Sequence, residues 1–187
     1  MTDQSADGGT PNLRSKEGRR GMAGRGRNPL IVTTPSYREI VMRRVLDAPR
    51  ELVFEAHKSC EHLSQWWGPR GYEVISCDVD FRPGGGWRIV HRSPDGEEHA
   101  FRGEYREIVP PERIVWTFEF EGMPGSVSVE TMTLEEHDRK TELKSTSVFD
   151  TVAERDGMLE SGMESGAAET MDRLDEYLEV LRSRPSG

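Results

Sequence analysis

The chain is poor in cysteine. Cys60 and Cys77 are its only two, and their separation is neither the CxxC spacing of a zinc or redox site nor the count of a secreted disulfide scaffold. Both are expected to be buried thiols. No run of 18 apolar residues exists, which argues against a membrane-spanning helix, and the basic N-terminal stretch lacks the apolar segment of a secretory signal. The expected location is the cytoplasm. Positive charge is also in deficit, with 25 Lys and Arg against 34 Asp and Glu and a net charge of −9. An acidic domain repels a phosphate backbone, so nucleic acid is not an expected partner. No internal repeat is present, and no motif calls for a cofactor or a metal.

What charge there is divides unevenly. Residues 1–36 hold six basic side chains against three acidic ones, so they carry +3 and leave −12 to the remainder. They also contain six Gly and three Pro, and show no periodicity before Leu30-Ile31-Val32. Such a segment cannot bury enough apolar surface to offset its ordering entropy, and the reading is a disordered basic tail over 1–36. Met22 offers a second translation start. A single domain is expected over 37–182, with a short tail at 183–187.

From Tyr37 onward periodicity takes over. Arg38 to Asp47 reads as a strand, and Pro49 sits where a first helical turn needs no N–H partner. One short helix follows with Leu52, Val53 and Ala56, then another with Leu63, Trp66 and Trp67 before Gly68-Pro69. Glu73 to Phe81 alternates with period two, placing Ile75, Cys77, Val79 and Phe81 on one face. Turns at Pro83–Gly86, Pro94–Gly96 and Pro110-Pro111 mark out further strands over Trp87–Arg92, His99–Ile108 and Arg113–Phe120. Val127–Leu134 and Thr141–Phe149 bring the total to seven. Leu159, Met163, Ala167, Met171, Leu174, Leu178 and Leu181 then recur at helical spacing, predicting one long amphipathic helix. The fold class is therefore α+β, a curved seven-stranded antiparallel sheet around a long C-terminal helix.

The runs that carry a family resemblance are Arg44-Val45-Leu46-Asp47-Ala48-Pro49 with Val53-Phe54, and Trp66-Trp67-Gly68-Pro69. They continue through Asp80-Phe81-Arg82-Pro83-Gly84-Gly85-Gly86-Trp87, Phe101 to Ile108, and Pro110-Pro111-Glu112-Arg113-Ile114. In this order the chain resembles the SRPBCC (START-like) superfamily from Tyr37 to about Leu181. Within it the chain is similar to the family named after the activator of heat-shock protein 90 ATPase. The resemblance implies the helix-grip (START/Bet v 1-like) fold with an internal cavity, and a family of ligand carriers, cyclase-like enzymes and chaperone partners. Relatives usually carry a bulky aromatic where this chain has Gly166-Ala167, a change that enlarges the pocket or relocates packing.

Aromatic walls suit a pocket for apolar molecules. Trp66, Trp67, Trp87 and Trp116 are therefore candidate lining residues, with Ile89, Phe101, Phe118 and Leu143 from the strands. Met163, Ala167 and Met171 supply the helix side. His91, Tyr105 and Ser145 are the polar handles, with Ser147 in line with Ser145. Gly162 and Gly166 form a GxxxG that lets the helix approach the sheet or leaves pocket volume. Arg44 is expected on the exposed sheet face, the alternative being a pair with a buried carboxylate such as Glu104. His57, Cys60 and His62 do not share a helical face and are not read as a metal site. Neither serine stands in GxSxG, so no nucleophile is assigned.

The function expected is binding of a small hydrophobic ligand, a lipid, sterol-like molecule or aromatic metabolite, in a carrier or sensor role. An apolar-substrate cyclase or hydrolase using His91 or Tyr105, and a co-chaperone acting on a heat-shock ATPase, are the alternatives. Homodimerisation is compatible with all three, and so is the role of a bacterial-type stress or metabolite protein.

Overall fold

In the computed structural model residues 28–183 are described, and most of the tail assigned to 1–36 lies outside them. Within that tail Ile31–Thr33 forms a short strand, β1, paired antiparallel with β2 (Glu39–Leu46). The sheet thus has eight strands and not seven, because three β-branched residues that look isolated in sequence find an edge to extend.

After β2 come α1 (Arg50–Glu55) and α2 (Cys60–Trp66), the second capped by the Ser59 hydroxyl. An antiparallel run follows, β3 (Glu73–Val79), β4 (Gly86–Arg92), β5 (Glu98–Val109), β6 (Arg113–Phe120), β7 (Val127–His137) and β8 (Lys140–Val148). The order across the sheet is β1-β2-β8-β7-β6-β5-β4-β3, so consecutive tight turns build a meander and β2 closes on its last strand.

The predicted single C-terminal helix is two helices. α3 (Val152–Glu160) starts in a capping box of Thr151 and Glu154 and ends before Gly162, whose φ of +78° breaks the helical path. α4 (Met163–Ser183) then runs over the sheet. Gly162 therefore acts as a joint with open space at its Cβ position, and a Cβ at Gly166 would meet Pro69 at 3.4 Å, so the second glycine of the GxxxG faces the α2–β3 loop and not the sheet.

Three further expectations are corrected. A bulge between Val74 and Ser76 makes Ile75 the extra residue, and Val74 joins Cys77 on the face of His91 and Ile89. Cys60 and Cys77 are not thiols but a disulfide with Cα atoms 5.7 Å apart, tying α2 to the edge strand β3. Arg44 points inward, its side chain 2% exposed, with Nη1 2.7 Å from Asp172 and Nη2 2.6 Å from Asp175 on α4. It is an ion-pair clamp between sheet and helix, and its partners are not Glu104.

The core follows from this geometry. Leu46, Val53, Leu63, Ile114, Met132, Leu134, Leu174 and Leu178 are all buried where α1, α2 and the C-terminal half of α4 meet the sheet. The N-terminal half of α4 is looser: Met163, Ala167 and Met171 are only half-buried.

Candidate functional site: the aromatic concave face

Strand alternation decides what faces the helix. On β4 it is Trp87, Ile89 and His91, paired in register with Gly103, Phe101 and His99 of β5. On β6 Phe118 and Phe120 follow Trp116, with Phe120 opposite Phe101 and Trp116 opposite Tyr105. The rings form one connected ladder. Centroid distances run 6.1 Å from Trp66 to Trp67, 5.9 Å on to Trp87 and 5.8 Å on to Phe118. They continue 5.4 Å to Phe101, 5.1 Å to His91 and 4.8 Å to Tyr72.

The residues expected to line a pocket separate into two groups. Trp66 donates its indole N–H to the Ala56 carbonyl at 2.9 Å and is core, as are Ile89 and Leu143. Trp67, Phe101, Trp116 and Phe118, and on α4 Met163, Ala167 and Met171, keep part of their surface open. Trp87, His91, Tyr105 and Ser145 are buried beneath them. The structure therefore brings a half-open aromatic face together. Two surface grooves border this face and neither is the enclosed hollow expected. One, of about 530 Å³, is on the outer side of the sheet by Arg88, Arg102 and Glu119; the other, of about 390 Å³, lies by Arg70, Tyr72 and Arg173.

Electrostatics sharpen the picture. Burial, with neighbouring His99 and Arg173, lowers the His91 pKa to about 4, so its imidazole is neutral. Its Nδ1 has no hydrogen-bond partner among the described residues and lies where a Cβ on Gly68 would meet it at 2.8 Å. Burial also pushes the Tyr105 phenol up, which weakens it as an acid. The Trp87 indole N–H likewise has no acceptor among the described residues. Arg173 holds the rim of the face: its Nη1 donates to the carbonyls of Trp67 at 3.1 Å and Gly68 at 2.8 Å, and its Nη2 to Gln65 at 3.1 Å.

One inward group lies outside the sequence-based expectations. Glu130 on β7 accepts from the Ser128 and Ser147 hydroxyls at 2.7 and 2.6 Å. Its signal is available in the parity it shares with Met132 and Leu134. The histidines near the disulfide have partners of their own: His57 Nδ1 lies 2.8 Å from the Val53 carbonyl and His62 Nδ1 2.7 Å from the Tyr177 hydroxyl.

A family model described as activator of Hsp90 ATPase homolog 1-like protein matches residues 47–179. The chain belongs to this family. As a member of the activator of Hsp90 ATPase homolog 1-like family it falls in the SRPBCC superfamily, whose helix-grip architecture the sheet and C-terminal helix display. Solved structures of the same fold include a protein from Rhodobacter sphaeroides, 24% identical with a TM-score of 0.76, covering 81% of this chain and 99% of its own. Another, from Nitrosomonas europaea, is 24% identical with a TM-score of 0.73, covering 81% and 100%. A third, from Chromobacterium violaceum, is 29% identical with a TM-score of 0.66, covering 77% and 99%. No curated protein matches the chain. No helix among the described residues is long and apolar enough to cross a membrane.

Proposed function

We propose that this family member binds a small hydrophobic molecule between the concave sheet face and the N-terminal half of α4, as a carrier or sensor. The observation that carries the reading is that Trp67, Phe101 and Phe118 of the ring ladder, and Trp116 next to it on β6, pack on the core yet stay only partly buried. A soluble domain gains about 25 cal/mol for each Å² of apolar surface it buries, so aromatic surface left open on an inward face is surface for a ligand. The family is one of hydrophobic-ligand binders and co-chaperone-like proteins, which agrees with this use.

Titration with Nile red tests the proposal. Saturable fluorescence enhancement is expected, lost in Phe101→Arg and Phe118→Arg and kept in Val127→Arg on the other face. A dye response that never saturates, or that all three variants retain, contradicts it. The cytoplasm is the proposed location. Fractionation of cells that express the chain is expected to recover it with the cytoplasmic fraction; recovery from an oxidising compartment, where the Cys60–Cys77 disulfide would persist, contradicts that location.

A further inference from the structure

The concave face contains a carboxyl with no counter-charge among the described residues. Glu130 stands in a row of Cα partners crossing the sheet, Ile40 on β2, Ser147 on β8, Glu130 on β7 and Trp116 on β6. Its direction follows from alternation with the core residues Met132 and Leu134. It is 8% exposed, and Ser128 beside it is the partner of Phe118 in the next row.

Each carboxyl oxygen accepts one serine hydroxyl, and among the described residues no cationic side chain pairs with either. Arg44, also inward on β2, is already taken by Asp172 and Asp175. Burial pushes the Glu130 pKa up and the two hydroxyls offset that only in part. A buried acid without a counter-charge weakens the fold, and such groups concentrate where a ligand is bound.

What the position lacks is a positive charge, and beside it on β6 stands the indole of Trp116, with Phe118 in the next row. The faces of indole and phenyl rings attract cations, most strongly where water is excluded. The acidic chain, at −9, draws cations toward it from a distance. α4 runs in the direction of β2, since Asp172 meets Arg44 while Arg182 donates to the Asp47 carbonyl at 2.5 Å. Its looser N-terminal half continues past Arg44 to the α2–β3 loop, where Glu169 accepts from the Arg70 N–H at 3.0 Å.

We infer that the ligand of this face is an apolar amine, its hydrocarbon or aromatic body on the ring ladder and its protonated nitrogen between the Glu130 carboxylate and the Trp116 ring. The inference rests on the ligand-binding reading and narrows it to one chemical class. Glu130 is then a binding residue, and Ser128 and Ser147 orient its carboxyl.

Displacement of Nile red by matched amine and alcohol pairs tests it: octylamine against octanol, and 2-(1-naphthyl)ethylamine against 2-(1-naphthyl)ethanol. The amine of at least one pair is expected to bind about tenfold or more tightly than its alcohol, the size of a charge-assisted hydrogen bond. Glu130→Gln, which keeps the shape, is expected to abolish that preference, the amine falling to the affinity of its alcohol. Equal affinities within every pair, or a preference that survives in Glu130→Gln, overturn the inference. If the Glu130→Gln variant fails to fold by circular dichroism, the wild-type ratio decides alone. Dye binding that no pair displaces overturns the inference and leaves the hydrophobic-ligand reading standing, whereas absence of saturable dye binding removes both.

Discussion

Replacing Arg44 by methionine is expected to unfasten the helix from the sheet. The guanidinium sits between Asp172 and Asp175 at 2.7 and 2.6 Å, and its side chain is 2% exposed against 10% and 23% for theirs. Methionine preserves much of the volume but leaves two carboxylates facing an apolar interior. Breaking a buried pair in this way costs about 3–5 kcal/mol, far more than the ~0–1 kcal/mol of an exposed pair. For a domain of this size each kcal/mol moves the melting temperature by about 2–4 °C, so the drop is roughly 6–20 °C. Burial already raises the Asp175 pKa more than Arg44 lowers it, so part of the loss appears as uptake of a proton. Urea unfolding of Arg44→Met and of the triple variant with Asp172→Asn and Asp175→Asn separates the contributions. The single variant loses several kcal/mol and the triple recovers most of it. A loss under about 1 kcal/mol for Arg44→Met would refute the clamp and imply a solvated pair.

Glu130 contributes a pH dependence of definite sign. Its folded pKa is raised above the ordinary carboxylate value, so at low pH both folded and unfolded chains carry the proton; as pH rises the unfolded chain ionises first and stability falls. Glu130→Gln is therefore expected to be more stable than wild type at pH 7 with no such gain at pH 4, measured by urea midpoints at both. His57 acts in the opposite direction. Burial lowers its pKa to about 4, so stability is lost as pH falls from about 6.5 toward 4; thermal melts of His57→Gln should lack that segment of the decline. Reducing the Cys60–Cys77 bond, which closes a loop of 17 residues, is expected to cost about 3 kcal/mol, read from melts with and without dithiothreitol. Gly103→Ala is expected to lose about 1–3 kcal/mol, since its Cβ would fall 1.8 Å from the Thr117 carbonyl oxygen and 2.6 Å from Trp87 Nε1.

Strands β2 to β8 and both short helices were readable because their alternation and turn residues agree with one another, as around Pro83–Gly86 and Pro94–Gly96. The aromatic face was readable for the same reason: Trp87 and Ile89, or Trp116 and Phe118, recur at period two. Other features depend on contacts far apart in sequence. In β7 the β-branched Val127, Val129, Thr131 and Thr133 look like the inner face, yet Met132 and Leu134 turn that side inward and carry Glu130 with them. Arg44 reads as a surface residue until Asp172 and Asp175 arrive from a helix more than 120 residues later. The spacing of Cys60 and Cys77 has no local meaning; it takes the start of α2 lying against edge strand β3 to join them. Gly162 fits a helical stripe in sequence, and only its positive φ shows the joint.

Native mass spectrometry of freshly purified protein, before and after extraction with organic solvent, tests the central claim most directly. A bound apolar species that extraction removes, and that the stripped protein takes up again from a mixed library of hydrophobic compounds at one molecule per chain, is the predicted result. A chain that shows the bare mass throughout, and captures nothing from that library, would contradict the account.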